Sequence, residues 1–355
     1  MQLIQADQYS IHFNADAYVF LNSFVKDNRY SKLFILVDSN TSTHCLPHFL
    51  ALLATENEIE IIEIESGEAY KTIETCVQLW LTLTELGGDR KSLLINIGGG
   101  VISDLGGFVA STFKRGIDFI NVPTTLLGMV DASVGGKNGV DLENLKNQIG
   151  VINPPKAVLI DSAYLETLPA NEMRSGLAEM LKHGLIYDKT YWEKFMNLSN
   201  QGLSDLDALI HQSVCIKNTI VSQDPTENGI RKALNFGHTL GHAIESYFLE
   251  SPFKTALLHG EAVAAGMILE SYLSLQKELI SPEEYRQIKT VIKSIFNTIA
   301  FDENDLEPIL NLLIHDKKNE YGKVQFALLD GIGKITINQH AEEKWIAAAF
   351  EDYKR

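Results

Sequence analysis

The chain has 355 residues, of which 45% are hydrophobic, and it carries 46 acidic against 30 basic side chains, for a formal net charge of -16. This length predicts about two domains, and the hydrophobic fraction is sufficient for well-buried cores. The negative charge argues against nucleic acid or an anionic membrane surface as a partner. An anionic small ligand would therefore require a local cluster of bases.

The cysteines and the N-terminus bear on the cellular compartment. Cys45, Cys76 and Cys215 share no close spacing, which argues against both a disulfide framework and a thiolate zinc site. The first residues lack a basic flank followed by an apolar stretch, and no apolar run reaches the roughly 18 residues of a membrane-spanning helix. We therefore expect a cytoplasmic protein.

The first half of the chain alternates strand-like and helix-like segments. Apolar, β-rich segments predict strands at residues 33–37, which is continuously apolar, and at 59–64, 92–97, 119–122 and 158–160, with helical patterns at 46–53 and 73–86. Such alternation predicts a Rossmann-like, mostly parallel α/β domain over residues 1–169. Ligands of these domains bind beyond the carboxyl ends of the strands.

Two glycine-rich segments of this domain are candidates for ligand contact. Gly98-Gly99-Gly100 follows an apolar strand, and a helix starting near Ser103 would direct its positive end toward a bound phosphate. A tight turn without any ligand explains this motif equally well. Residues 129–139 are too polar and too rich in glycine for a core segment, which favours a functional loop.

The second half of the chain has a different pattern of apolar residues. Helical periodicity dominates from residue 170 onward, and a short pair of strands is predicted at 324–329 and 334–337. We therefore predict a mainly helical second domain over residues 170–355.

A histidine-rich stretch within this second domain is a candidate metal site. If residues 235–248 are helical, His238, His242 and Glu245 share one face, and His259 starts another helix-like run that can pack beside it. Imidazole and carboxylate are ligands that Zn²⁺ takes in the absence of sulfur. Histidines that are merely packed or capped remain the alternative on these residues alone.

Six motifs, in order along nearly the whole chain, together resemble the 3-dehydroquinate synthase family of sugar phosphate cyclases. The most specific are the Asp-x-Ser-x-Gly-Gly-Lys loop at residues 131–137 and the Gly-His-Thr-x-Gly-His helix at 237–242. The others are Gly-Gly-Gly-Val-Ile-Ser-Asp at 98–104, Val-Pro-Thr-Thr-Leu-Leu at 122–127, Ser-Gly-Leu-Ala-Glu at 175–179 and Leu-His-Gly-Glu-Ala-Val at 258–263.

The resemblance implies two cofactors. A catalytic divalent metal, zinc or cobalt, would be held by Glu179, His238 and His259, whereas His242 would contact substrate. NAD would bind to strand ends and loops of the first domain, at Asp38, Asn40, Glu68, Lys71, Gly99, Gly100, Asp104, Thr124, Thr125, Leu127, Asp131, Lys137, Lys146, Thr167 and Leu168.

The resemblance also implies a set of substrate contacts that supplies the local positive charge. They are Asp131, Lys137, Lys146, Asn147, Lys182, Lys217, Glu227, Arg231, Asn235, His242 and one of Lys317 and Lys318. Arg115 matches a residue that the family inserts into the neighbouring subunit, which implies a homodimer. Ala132, Asn138 and Pro225 depart from the family pattern, and this bears on cofactor and loop contacts rather than on the reaction.

The activity that the resemblance implies is conversion of 3-deoxy-D-arabino-heptulosonate 7-phosphate to 3-dehydroquinate and phosphate. This is the second step of the shikimate pathway, which leads to chorismate and the aromatic amino acids. NAD would act catalytically, without being consumed. Another sugar phosphate cyclase and a metal- and NAD-dependent polyol dehydrogenase of the same fold are the alternative functions.

Overall fold

The computed structural model describes residues 1–143, 145–196, 205–314 and 324–355. The chain divides into two compact units, Met1–Met173 and Arg174–Arg355. This division falls inside a helix that spans Ala170–Tyr187, whereas the sequence predicts a boundary between residues 169 and 170.

The first unit is built on a seven-stranded sheet that confirms the predicted mostly parallel α/β fold. Its strands are β1 (Ile4–Gln5), β2 (Ser10–Phe13), β3 (Leu33–Asp38), β4 (Ile59–Ile64), β5 (Leu93–Gly98), β6 (Asp118–Pro123) and β9 (Ala157–Ile160). They lie in the order β1-β2-β9-β6-β5-β3-β4, and only the β1–β2 pair in this sheet is antiparallel. A separate antiparallel hairpin consists of β7 (Lys137–Leu142) and β8 (Leu145–Ile152).

The helices of this unit explain why its strands read as continuous apolar runs. They are α1 (Asn14–Asn28), α2 (Ser39–His44), α3 (Leu46–Leu52), α4 (Ile73–Glu85) and α5 (Gly100–Thr112). On one side of the sheet, Phe34 and Leu94 pack in a core with Leu79 of α4 and Leu105 of α5. Residues of β3 and β5 are buried along almost their whole length, as expected for parallel strands covered on both faces.

Two predictions of local structure in this unit were wrong. α5 begins at Gly100 rather than near Ser103, because Gly99 adopts an extended conformation and serves as the N-cap. Residues 129–139 do not form one irregular loop. They contain part of a π-helical turn at Gly128–Ala132, a glycine turn, and the start of β7.

The second unit is mainly helical, as predicted. Its described elements are α6 (Ala170–Tyr187, which begins before the division), α7 (Lys189–Glu193), α8 (Leu206–Gln223), α9 (His238–Glu250), α10 (His259–Gln276), α11 (Pro282–Ile295), α12 (Leu306–Ile314), α13 (Glu343–Tyr353) and the antiparallel strands β10 (Phe326–Leu329) and β11 (Ile335–Gln339). α12 was not predicted from the sequence.

α10 is the central helix of the second unit. It is buried around most of its circumference and contacts α9, α11, α13 and β10. A helix that is apolar on all sides belongs in the interior of a domain. Because α9 and α10 carry the histidines of interest, the best-buried helix of this unit also supports the candidate metal site.

α9 begins at His238, not at Asn235 as the periodicity suggested. Gly237 has φ of 77°, a left-handed conformation that interrupts helical geometry, and Asn235 ends a separate 3₁₀ helix, Ile230–Asn235. In the described parts of the chain, no helix combines the length and the hydropathy needed to cross a membrane.

Candidate active site

Several predicted cofactor residues lie at the carboxyl edge of the parallel sheet in the first unit. β5 and β6 end level with each other, with Gly98 paired to Pro123, so Gly99 and Thr124 follow at the same edge. A Cβ on Gly99 would lie 2.9 Å from Thr125 Cγ2, so a larger residue here would displace the Thr125 side chain. The structure thus brings Gly99, Thr124 and Thr125 together.

Asp38 lies at the end of β3, where its carboxylate caps α2. Its Oδ1 accepts hydrogen bonds from the backbone N of Thr41, at 2.8 Å, and from Thr41 Oγ1, at 3.1 Å. Asn40 is exposed on the first turn of α2. Asp38 therefore fixes the direction in which the chain leaves the sheet, and Asn40 is the more accessible of the two side chains.

A buried lysine joins three segments of the first unit. Lys71 Nζ donates to Asp104 Oδ2 and to Asn147 Oδ1, both at 2.7 Å. Burial alone would lower the pKa of Lys71, but the carboxylates of Asp104 and Glu68 outweigh it and raise that pKa, so the ammonium remains charged. The structure therefore brings together residues predicted to contact the cofactor, Lys71 and Asp104, and a residue predicted to contact substrate, Asn147.

The β7–β8 hairpin presents two lysines predicted to contact ligands. Lys137 is exposed at the start of β7, directly after Gly135 and Gly136, whose φ angles are 106° and 67°. Lys146 on β8 lies 3.8 Å from the Glu68 carboxylate. Asp131 and Leu127 lie at the π-helical turn that precedes the hairpin, with Asp131 half-buried.

Thr167 and Leu168 end the 3₁₀ helix Ser162–Thr167, which follows β9. Asp161 holds the start of this helix through its Oδ1, which accepts from the backbone N of Ala163 at 3.1 Å. Its Oδ2 accepts from Tyr18 Oη at 3.0 Å and contacts His48 Nε2 at 2.9 Å. This network fixes a segment that carries two predicted cofactor contacts.

Arg115 lies in a strained turn after α5. Lys114 and Arg115 have φ angles of 49° and 72°, a left-handed conformation that few residues other than glycine adopt. Arg115 lines a surface pocket together with Ser111, Asp118 and Asn153. The turn therefore places a guanidinium at the surface on a backbone whose conformation is unusual for these residue types.

In the second unit, three imidazoles and a carboxylate converge. His238, His242 and His259 each offer a ring nitrogen within 4.8 Å of the others. Glu179 Oε1, from α6, lies 3.4 Å from His238 Nε2 and 4.0 Å from His259 Nε2. α6, α9 and α10 thus deliver four potential ligands of one metal ion to one place.

Hydrogen bonds orient two of these rings. His238 Nδ1 lies 3.1 Å from the carbonyl oxygen of Phe236, and because a carbonyl can only accept, this nitrogen carries the hydrogen. His259 Nδ1 lies 3.3 Å from Glu245 Oε2. In both rings Nε2 is then left as the electron-pair donor directed toward Glu179, as in carboxylate–histidine–metal arrangements.

The Glu179 carboxylate is the strongest indication of a cation in this place. Its side chain is completely buried, and in the described part of the chain neither oxygen has a hydrogen bond of acceptable geometry. Lys182, itself 1% exposed, forms an ion pair with it. A buried carboxylate beside two oriented imidazole nitrogens is a donor set that matches a divalent metal such as zinc.

A second group of predicted residues lies in the turn before α9. Asn235 Nδ2 donates to Glu227 Oε1 at 2.8 Å, and Arg231 Nη1 donates to the carbonyl oxygen of Pro225 at 2.7 Å. Asp224 organises the turn, since its carboxylate accepts from the backbone N of Gly229 at 2.7 Å and of Arg231 at 3.0 Å. Lys217, on α8, is buried, and α8 contacts this segment. Lys317 and Lys318 lie outside the described residues.

Two residues of this unit make contacts that were not predicted from the sequence. Glu245 was placed on the same helix face as His238 and His242, and the structure shows that its carboxylate contacts His259. Asp224 was not predicted as a site residue. Its role depends on hydrogen bonds to backbone amides, which side-chain patterns do not reveal.

Comparison with known proteins places this geometry in a family. Residues 61–175 match the family profile described as 3-dehydroquinate synthase N-terminal, and residues 176–319 match the one described as 3-dehydroquinate synthase C-terminal. A 3-dehydroquinate synthase of Parabacteroides distasonis is 43% identical over 337 residues, covering 94% of each chain.

The chain belongs to the 3-dehydroquinate synthase family.

Solved structures of other sugar phosphate cyclases have the same fold. A 2-deoxy-scyllo-inosose synthase complexed with carbaglucose-6-phosphate, NAD⁺ and Co²⁺ has a TM-score of 0.86 and 25% identity, and 99% of each chain is covered. The 2-epi-5-epi-valiolone synthase of Streptomyces hygroscopicus, with NAD⁺ and Zn²⁺ bound, has a TM-score of 0.85 and 26% identity, with 100% of this chain and 99% of that chain covered. Membership of the 3-dehydroquinate synthase family confirms that the chain is an enzyme.

The four convergent groups generate a prediction that separates two possible ligand sets. His259→Ala should lose bound metal, because it removes an Nε2 directed at Glu179. His242→Ala should keep its metal and lose turnover by a factor on the order of 10², as expected for a residue that acts on substrate. Metal content of purified protein measured by plasma mass spectrometry, with exposed His340→Ala as the control, tests this. Equal metal depletion in both variants would instead assign the metal to the three histidines.

Proposed function

We propose that this enzyme converts 3-deoxy-D-arabino-heptulosonate 7-phosphate to 3-dehydroquinate and phosphate. The observation that carries the proposal is the convergence of Glu179, His238, His242 and His259 in a chain of this family. A completely buried carboxylate that lies beside two oriented imidazole nitrogens serves well as a metal ligand. An acidic chain that acts on a sugar phosphate also needs local bases, and the predicted substrate contacts include several lysines and an arginine.

We assign the metal to Glu179, His238 and His259, with zinc or cobalt as the ion. Three protein ligands leave open positions for substrate, as a catalytic metal requires. Lys182 balances the charge of Glu179, and Glu245 holds His259 in the tautomer that presents Nε2. When bound, the metal would polarise a substrate hydroxyl, and NAD would accept a hydride and later return it.

The first unit supplies the proposed NAD contacts. Gly99 and Gly100 begin α5, whose N-terminal amides and helix dipole favour an anionic group such as a pyrophosphate. The Lys71–Asp104 ion pair holds this helix and the segment after Glu68 in place. Support for NAD also comes from the two related cyclases, whose structures contain NAD⁺.

The proposed substrate contacts of the second unit are polar groups with fixed orientations. Arg231 and Asn235 are held by the carbonyl of Pro225 and the carboxylate of Glu227, so both side chains have fixed orientations before substrate binds. Lys182 and Lys217 are buried cations that suit an anionic ligand. Oriented groups of this kind reduce the ordering that substrate binding would otherwise require.

We propose a cytoplasmic location and a homodimeric state. The location is supported by the free cysteines, of which Cys45 and Cys76 are buried, because unpaired thiols are usual in a reducing compartment. The homodimer is supported by the family resemblance at Arg115, which would reach the site of the neighbouring subunit.

The proposed reaction has no net oxidation, and this generates a direct test. Protein with zinc, the heptulosonate phosphate and a trace of NAD⁺ should release many equivalents of phosphate per NAD⁺ and form 3-dehydroquinate, both followed by NMR.

In the same assay, a metal chelator should abolish turnover, and zinc or cobalt should restore it. Stoichiometric accumulation of NADH would identify a polyol dehydrogenase instead. Turnover only with a different sugar phosphate would identify another cyclase.

Lys137 generates a second prediction. Its ammonium follows a glycine turn and can place a point charge on the departing phosphate, where charge develops in the transition state. Lys137→Ala should therefore slow phosphate release by a factor on the order of 10² or more. Lys156→Ala, which removes a surface lysine paired with Asp118, is the matched control.

Titration with NAD⁺ in parallel separates the two roles of Lys137. The affinity of the Lys137→Ala variant for NAD⁺ should differ little from that of the parent. If Lys137→Ala released phosphate at the parent rate but no longer bound NAD⁺, Lys137 would belong to the pyrophosphate site of the cofactor.

Arg115 generates a complementation experiment. Arg115→Ala and His259→Ala should each be inactive as pure dimers. After subunit exchange, half of the dimers are hybrids, and each hybrid has one intact site if Arg115 acts on its neighbour, so about a quarter of the parent activity should return. If Arg115 acts within its own chain, no hybrid site is intact and mixing should restore nothing.

A further inference from the structure

Glu270 is a completely buried carboxylate on α10 that faces the start of α9. Its Oε2 accepts a hydrogen bond from the backbone N of Gly237 at 2.7 Å, and its Oε1 accepts one from the backbone N of Leu240 at 3.0 Å. Each carboxylate oxygen thus receives its own backbone amide. A buried acid in a helix interior is expensive unless both oxygens are satisfied in this way.

The start of α9 requires an acceptor from outside its own segment. The first amides of any helix have no partner within the helix, and they are usually satisfied by the side chain of the N-cap residue. Here the N-cap is Gly237, which has no side chain and makes no such bond. Glu270 supplies the acceptor from the neighbouring helix, and its negative charge faces the positive end of the α9 dipole.

Close contact between the two helices gives Glu270 its position. A Cβ on Gly266 would lie 1.9 Å from the carbonyl oxygen of Gly237, and a Cβ on Gly237 would lie 2.5 Å from Met267 Cγ. Both glycines are therefore required for the backbones to approach each other. With the helices this close, the Glu270 side chain reaches the amides on both sides of His238 and Thr239.

This contact joins the two helices that carry three of the four convergent groups. His238 is the first residue of α9, between the two amides that Glu270 binds. His259 is the first residue of α10, the helix that carries Glu270. The carboxylate therefore joins the backbone that carries one imidazole to the helix that carries another.

We propose that Glu270 is a positioning residue for the metal site, which sets the separation of His238 and His259 by tying α9 to α10. This inference rests on the proposed function, because it presumes that these histidines hold the metal. Glu270 itself does not contact the ion. It keeps two ligand-bearing helices in register, so that little reorganisation is needed when the ion binds.

Replacement of Glu270 by glutamine tests this role with a minimal change in shape. An amide has one acceptor oxygen, whereas the structure uses two, so Glu270→Gln places an NH₂ group against one of the backbone N–H groups. Two donors facing each other displace either the side chain or the start of α9. Glu270→Asp retains both acceptor oxygens on a side chain that is shorter by one methylene.

α11 offers a matched control. Glu284 also accepts from two backbone amides, with Oε2 2.9 Å from the N of Ser281 and Oε1 3.2 Å from the N of Ile332. It acts at the start of a helix that carries none of the proposed ligands. Glu284→Gln therefore reproduces the loss of an acceptor at a helix start without disturbing α9 or α10.

The experiment measures metal binding as well as stability. Metal-free parent, Glu270→Gln, Glu270→Asp and Glu284→Gln are titrated with Zn²⁺ against a chromogenic chelator, and the Co²⁺ forms are compared by visible absorption. We expect Glu270→Gln to bind Zn²⁺ on the order of ten-fold more weakly, with an altered Co²⁺ spectrum. Glu270→Asp should recover part of the affinity. Glu284→Gln should lose thermal stability but bind Zn²⁺ like the parent.

The outcomes distinguish this inference from the proposed function. If the parent binds no Zn²⁺, the proposed metal site itself fails. If the parent binds Zn²⁺ and Glu270→Gln matches it within about two-fold, with an unchanged Co²⁺ spectrum, Glu270 has only a structural role. If Glu270→Gln does not fold, Glu270→Asp decides, since parent-like affinity and spectrum in that variant would also overturn the inference.

Discussion

The backbone contact between α9 and α10 is the constraint on which the candidate metal site depends. Gly237 and Gly266 allow the two helices to approach until a Cβ at either position would overlap its neighbour. A similar contact joins α10 to α6, because a Cβ on Gly260 would lie 2.3 Å from Ser175 Cα, and Ser175 Oγ accepts from the backbone N of Gly260 at 2.9 Å. The three helices that carry Glu179, His238 and His259 are therefore fixed by backbone packing rather than by the ligands themselves.

The architecture of the first unit follows a different physical rule. There the predicted ligand contacts are loops at the edge of a rigid sheet, held by caps such as Asp38 and by the buried charge of Lys71. Loops on a rigid scaffold can change their side chains without loss of the core. This separation of a rigid sheet from variable loops agrees with the likeness in fold to two synthases that are only 25% and 26% identical and are named for different products.

The sequence predicted five of the seven strands of the sheet, β3, β4, β5, β6 and β9, because their segments are rich in apolar, β-forming residues, whereas β1 and β2 were not predicted. It also predicted that His238 and His242 share a helix face, since their spacing matches one helical turn. It failed at the starts of α5 and α9, which depend on the conformations of Gly99 and Gly237. Glu270 was not identifiable either, because its partners lie on another helix. Glu179 entered through the family resemblance, and the structure then placed it beside His238 and His259.

Lys71 also affects how the first unit opens and closes locally. Its ammonium bonds Asp104 of α5 and Asn147 of β8, so the hairpin that carries Lys137 and Lys146 is tied to a helix of the hydrophobic core. Surface hairpins usually exchange their amide hydrogens through small local openings, at a fraction of the global unfolding free energy. Here such an opening would leave a buried cation without its partners, so we expect the amides of this hairpin to exchange slowly, like those of the core.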